Sequence, residues 1–249
     1  MLARKTVAVT VIALLTIAAS SAAVYATAHT GRGQGDHPKP SGTHLYSAWT
    51  KTPPSIDGVF QPREWDKAEV INFVITYNVR GPINGTMYAM NDANNLYLAV
   101  RVPDLTFNVG DNLVFYFDNN NTGVQSKGDD ILQMDVNSLL TSNISFFDEF
   151  WSGCCGPVGG LEDRAAGGTT DGAGQMYGDG SYNYFELVHP LNSGDVGHDF
   201  SLKPGDTVGF LVSYDDDGGI GSFWPSALPG VPNYAERAQL TIANPPGKG

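Results

Sequence analysis

The chain is poor in cysteine: it has two, and they are adjacent, Cys154 and Cys155. Two neighbours cannot staple distant segments of one molecule, which excludes a small disulfide-held scaffold and leaves the fold to a hydrophobic core. Basic residues are also scarce. Fourteen Lys and Arg stand against 26 Asp and Glu, for a formal net charge of −12, and no basic cluster occurs. Such a surface repels phosphate backbones and excludes nucleic acid as a partner. Sustained helical periodicity is missing, and beyond residue 28 no apolar run is long enough for a bilayer. The chain also lacks a Ser-centred nucleophile elbow, a zinc-binding helix motif and a phosphate-cradling glycine loop. Asp148 and Glu149 come nearest to a catalytic carboxylate pair, but neighbours on a strand face opposite ways and cannot flank one bond. Together these absences point away from an enzyme.

The abundant residues are those of strands and turns. Thirty glycines and 15 prolines, with many Asn and Asp, punctuate segments rich in Tyr, Phe and Val. Residues 1–28 carry Arg4 and Lys5, then an apolar run, then small residues, the layout of a secretory signal peptide. Residues 29–43 read as a flexible linker, 44–243 as one domain and 244–249 as a tail. The expected location is therefore secreted or at the cell surface, with membrane attachment only if the leader is retained.

Period-two alternation or short apolar runs mark residues 86–90, 96–102, 112–117, 131–136, 182–188 and 207–214. Asn- and Gly-rich turns separate them, as in residues 91–95 and 119–123. The expected fold is all-β: an antiparallel β-sandwich, two sheets in an immunoglobulin- or jelly-roll-like arrangement. One short helix is expected over residues 61–68, with Pro62 in its first turn, and one long glycine-rich loop over residues 153–180.

Three phrases, PSIDGVFQPREWDKA (54–68), MYAMNDANNLYLAVRVPD (87–104) and GDNLVFYFDNNNTG (110–123), precede a fourth, YFELVHPLNSGDVGHDFSLKPGDTVGF (184–210). In order and spacing they resemble the family 9 carbohydrate-binding modules and the wider group of DOMON-like β-sandwich domains. The resemblance implies a non-catalytic module that takes a poly- or oligosaccharide through an aromatic clamp, with structural calcium. Within it, Trp65 reads as core, on the same face as Ala68.

A calcium loop is expected at residues 118–129, where Asp118, Asn120 and Thr122 offer oxygens at alternate positions and Asp129 closes the turn, with Asp130 a further donor. The competing reading of that loop is an Asn-rich hairpin turn capped by its own side chains. Trp151 and Trp224, flanked by Gly and Pro, are the expected sugar platforms, with Tyr177 and Tyr214 as lesser ones. Asn84, Asn120 and Asn143 open N-glycosylation sequons. The adjacent cysteines suit a vicinal disulfide beside Trp151; an interchain bridge or a reduced pair holding a soft metal are the alternatives. Two other functions stay open: a haem b domain using Met87, Met90, Met134, His189 or His198 as axial ligands, and a self-assembling envelope component.

Overall fold

The computed structural model describes residues 42–247, apart from 62, 139–142, 155, 157 and 220. Two sheets face each other. The first runs β1 (His44–Tyr46), β14 (Ala238–Thr241), β12 (Thr207–Asp215), β6 (Asn112–Asp118), β7 (Asp130–Ser138), β8 (Asn143–Phe150) and β9 (Leu161–Glu162), with β13 (Phe223–Trp224) also paired to β12. The second runs β10 (Ala173–Gly178), β11 (Tyr182–Pro190), β5 (Asn95–Pro103), β4 (Ile83–Asn91) and β2 (Ala48–Trp49), with β3 (Glu69–Ile75) also on β4. Every pairing is antiparallel except β1 with β14 and β2 with β4. This is the β-sandwich expected from the strand pattern.

Alternation builds the core. Leu113, Phe115 and Phe117 of β6 and Leu132, Met134 and Val136 of β7 face inward, meeting Leu96, Leu98, Val100 and Val102 of β5 and Phe185 and Leu187 of β11. Each set holds a single parity, so slipping a strand by one residue would turn its apolar side chains to the opposite face. Trp224 and Tyr214 join this packing. Trp224 lies between Phe73 and Phe210, at ring distances of 5.7 and 5.9 Å, and Tyr214 is fully buried.

Two smaller clusters sit on the outer faces. Val114, Tyr116, Leu211, Phe223 and Tyr234 cover the first sheet, with Trp151 packed against them. On the second sheet Trp65 packs on Met90, Tyr97 and Ala99. The expected helix at residues 61–68 does not form. Two successive turns replace it, closed by Glu64 N donating to Gln61 O at 2.9 Å and Ala68 N donating to Trp65 O at 3.1 Å. Trp65 is core as expected, and its anchorage explains the turns. Its Nε1 donates to Glu186 Oε1 at 3.0 Å, while Gly58 N and Asp57 N donate to Oε2 of the same carboxylate, so the segment is pulled flat onto the sheet.

The glycine-rich stretch 153–180 is also more ordered than a loop. It contains β9, a four-residue helix α1 (Asp163–Ala166) and the edge strand β10, which pairs with β11 along its full length. Sequence alternation missed β10 because Gly174 stands at an inward position where a side chain would signal burial. A Cβ there would fall 2.8 Å from Met134 Sδ, so the close approach excludes a larger residue.

Trp65→Phe keeps the ring bulk but removes the indole donor to a buried carboxylate; we expect it to lower unfolding stability by about 1–3 kcal/mol. Trp65→Ala should cost about 3–5 kcal/mol. Urea denaturation of both variants beside the parent checks this, and a Trp65→Phe variant as stable as the parent would show that the indole donor contributes nothing.

Candidate functional site

Two places combine side chains in ways that packing alone does not require: a groove on the outer face of the second sheet, and a buried acidic centre between the sheets. The groove exists because the 54–68 segment covers only part of that face. Cross-strand register places Asn72, Thr86, Arg101, Tyr184 and Tyr177 in one row across β3, β4, β5, β11 and β10. Toward the sheet's end the surface dips into a groove of about 360 Å³, lined by Asn72, Val74, Asn84, Thr86, Arg101 and Tyr182 among others. The Arg101 guanidinium lies 5.5 Å from the Tyr182 ring centre, a cation over an aromatic face. Tyr184 is held by its hydroxyl, which donates to Asp179 Oδ2 at 3.0 Å, and its ring stands 6.1 Å from that of Tyr182. The lining therefore offers a flat ring, a planar cation and two amides, with no carboxylate or imidazole.

Of the four aromatic residues expected to meet a sugar, the structure leaves only Tyr177 well exposed, at 49%, beside Tyr184 on this face. Tyr214 cannot be a platform. Its ring is in the core and its hydroxyl donates to Asp104 Oδ2 at 2.6 Å, with burial and that carboxylate holding its pKa well above the usual range. Trp224 is wedged between core phenylalanines, as above. Trp151 is half-buried on the opposite sheet, where its Nε1 donates to Gly156 O at 3.1 Å. Tyr182 and Arg101 were missed. Their signal was available, because both lie outward of the apolar parity in strands that the sequence marks clearly.

The expected calcium loop folds around a different cation. Asp118 Oδ1 accepts from Thr122 N at 2.9 Å, Asp118 Oδ2 from Gly123 N, and the Asp129 oxygens accept from Asn119 N at 3.2 Å and Ser126 N at 2.6 Å. Arg237, reaching in from just before β14, sets its Nε 3.0 Å from Asp118 Oδ2 and donates to both oxygens of Asn121. Asn120 is exposed and Thr122 Oγ1 turns toward Val124 O, 3.2 Å away. Burial and the neighbouring Asp118 push Asp129 up to about 7. With its carboxylates filled by backbone amides and a guanidinium, the loop does not fit calcium. Asp130 points elsewhere.

Asp130 belongs to the second place. There Asp130 of β7, Asp148 of β8, His189 of β11 and Asp199 converge, with Asp163 at the start of α1 beside Asp199 and also close to Asp195 and His198; the first five are buried. Asp148 Oδ2 accepts from Asp171 N, and Asp130 Oδ2 takes a long contact of 3.4 Å from Phe200 N. Asp130 Oδ1, Asp148 Oδ1 and both oxygens of Asp163 accept no hydrogen bond. Desolvation, partly offset by His189, raises Asp130 well above its ordinary value. Burial also carries Asp148 to about 7 and, with Asp199 beside it, Asp163 to about 9. For His189 burial opposes charge, but Asp199, Asp130 and Asp148 outweigh it and the imidazole rises to about 9.

A third acidic group, Asp104, Asp111 and Asp216, is met mostly by donors of this chain. Tyr214, Asn183 and backbone amides donate to the first two, and Arg80 Nη1 lies 3.3 Å from Asp216. The haem candidates do not share a slot. Met87 and Met134 are packed in the main core, Met90 lies under Trp65, and His198 Nδ1 sits 2.7 Å from Asp195 Oδ1. Among the sequons, Asn84 lines the groove, so a glycan there and a ligand in the groove would exclude each other. Asn120 is exposed, and the side chain of Asn143 lies outside the described residues. Cys154 is exposed, with its Sγ 3.4 Å from Ser152 Oγ, but Cys155 is outside the described residues and so is the expected vicinal disulfide. The leader at 1–28 also lies outside them. Among the described residues no helix is long and apolar enough to cross a membrane.

No family model matches the sequence, and no curated protein does. Solved structures do match in fold. A carbohydrate binding module family 9 domain from Caldicellulosiruptor kristjanssonii, in complex with cellotriose, aligns with TM-score 0.54 at 15% identity over 81% of this chain and 94% of that one. The same module with glucose gives TM-score 0.52 at 15% identity over 82% and 98%. A Bacteroides uniformis protein gives 0.56 at 10% identity over 80% and 99%. The chain thus has a β-sandwich fold like that of the family 9 modules, at identities that carry no site residue across.

Breaking the Asp118–Arg237 pair leaves a buried charge unmatched, so we expect Arg237→Ala to lower stability by about 3–5 kcal/mol. Adding Asp118→Ala should then cost less than the sum of the single losses. A double-mutant cycle in urea measures this, and simple additivity would mean that the guanidinium does not hold the loop.

Proposed function

We propose that this domain is an exported, non-catalytic carbohydrate-binding module whose ligand lies in the groove of Asn72, Asn84, Thr86, Arg101 and Tyr182. The observation that carries the reading is the Arg101–Tyr182 pair set among amides on an open sheet face. A pyranose has one apolar face of axial hydrogens and a rim of hydroxyls. It needs a flat apolar ring beneath it and planar donors and acceptors at its edge, which the tyrosine, guanidinium and amides supply. The absence of any carboxylate from the lining supports binding without hydrolysis, since glycoside hydrolysis ordinarily requires a pair of them. Carrying the residues on strands keeps them in place before the ligand arrives, which limits the ordering cost. The fold likeness to modules solved with cellotriose and glucose makes these the first ligands to try. In this reading the aromatic surface is a tyrosine face extending toward Tyr184 and Tyr177, and Trp151 and Trp224 are structural.

Tyr182→Ala and Arg101→Ala are each expected to weaken oligosaccharide binding at least ~10-fold, about 1.4 kcal/mol, with little change in melting temperature. Trp151→Ala should bind like the parent. Titration calorimetry against cellotriose, following a glycan array, makes the comparison. If Trp151→Ala abolishes binding while Tyr182→Ala retains it, the ligand lies on the other sheet.

A further inference from the structure

We propose that the buried centre of Asp130, Asp148, Asp163, His189 and Asp199 is a metal site that takes one first-row divalent ion, such as Mn²⁺ or Zn²⁺, with His189 Nε2 as its nitrogen ligand. The first argument is the tautomer. His189 Nδ1 lies 2.8 Å from Pro190 O, and a carbonyl can only accept, so a proton is fixed on Nδ1 and Nε2 is the ring atom left to face the carboxylates, where a metal ion can take the place of its proton. That Nε2 is fully buried, makes no hydrogen bond, and is aimed among carboxylates. Carboxylates this close to Nε2 require a positive charge at that atom, which either a proton or a bound metal ion supplies.

The second argument is distance. Nε2 lies 3.6 Å from Asp199 Oδ2 and 3.8 Å from Asp148 Oδ1, too far for a hydrogen-bonded imidazolium pair. It is a suitable separation for two ligands of a common ion, since atoms each ~2.1 Å from one metal stand about 3–4 Å apart. Oxygens of Asp130 and Asp199 and a nitrogen of His189 all lie within 4.8 Å of one another, and so do oxygens of Asp148, Asp171 and Asp199.

The third argument is contrast within the molecule. The other two buried acidic groups contain arginine: Arg237 at Asp118, and Arg80 at Asp216. Among the described residues, the basic side chains paired at this centre are imidazoles: His189, facing Asp148 and Asp199, and His198, whose ring nitrogen lies within 4.8 Å of Asp163 and Asp195 oxygens. Donor chemistry then selects the ion. Calcium and magnesium take oxygen ligands, whereas an imidazole nitrogen among carboxylates suits manganese, iron, cobalt or zinc.

The test uses the full exported chain purified without chelator. Elemental analysis should find about one first-row divalent ion per chain. Chelation should lower the melting temperature by roughly 5–10 °C, the shift expected for loss of a tightly bound ligand in a domain of this size. MnCl₂ or ZnCl₂ added to the stripped protein should restore it at concentrations at least ~10-fold below those needed of CaCl₂. CoCl₂ should give a visible d–d band that is lost or shifted in His189→Gln. Should that variant fail to fold, Asp199→Asn, which preserves shape, should weaken the metal at least ~10-fold. Two results would overturn the proposal: a chain without metal whose melting ignores both chelator and added ions, or calcium restoring stability as well as manganese with an unchanged cobalt spectrum in His189→Gln. Neither outcome bears on sugar binding in the groove.

Discussion

Negative charge buried between two apolar sheets must be matched where it lies, and this requirement organises the polar parts of the sandwich. An unpaired carboxylate out of water costs several kcal/mol even after relaxation. The chain buries many: Asp104, Asp111, Asp118, Asp129, Asp130, Asp148, Asp163, Asp199 and Asp216. Strand β11 shows the arrangement most simply. Its inward row reads Asn183, Phe185, Leu187, His189, polar at both ends and apolar between. Asn183 joins the Asp104–Asp111–Tyr214 network at one end, and His189 enters the acidic centre at the other. The core thus ends at both margins in a charged group tied to both sheets.

These groups also set which parts of the surface can do something else. The Glu186 carboxylate holds residues 57, 58 and 65 down, so the 54–68 segment is fixed over one half of the second sheet's outer face and absent from the other. The uncovered half is the groove. A ligand site of this kind needs no mobile lid, because strand register alone places Arg101 between Thr86 and Tyr184. On the first sheet the corresponding face is covered by Phe223, Tyr234 and Trp151, which leaves less room for a partner.

The strands at 86–90, 96–102, 112–117, 131–136, 182–188 and 207–214 were legible because each is a central strand with one apolar parity and Asn- or Gly-rich turns beside it. Strand β3 was not, since Val70, Val74 and Glu69 are exposed on an edge and blur the alternation. The Asp118–Asp129 spacing showed a polar loop, but not that Arg237, more than a hundred residues further on, supplies a cation to it. Tyr214 and Trp224 were misplaced for one reason: flanking turns suggest display, yet Tyr214 has inward parity on β12 and Trp224 is drawn in by pairing with Val212.

The acidic centre was beyond reach for a related reason, although one clue was present. Its members come from β7, β8, α1, β11 and the segment before β12, and only sheet pairing brings them together. Nothing in their spacing resembles a metal motif. Yet His189 shares parity with Phe185 and Leu187, and Asp148 pairs with the buried Leu132 across β7 and β8. A titratable residue in an apolar row must find a partner inside the protein, since it cannot reach water. Such residues converging at one end of a sandwich form a site whose charge has to be supplied, by a proton, an arginine or a metal ion. Where an arginine is present, as at Asp118, the chain itself supplies the charge; around His189 the imidazole is joined by protons on the raised carboxylates or by a metal ion.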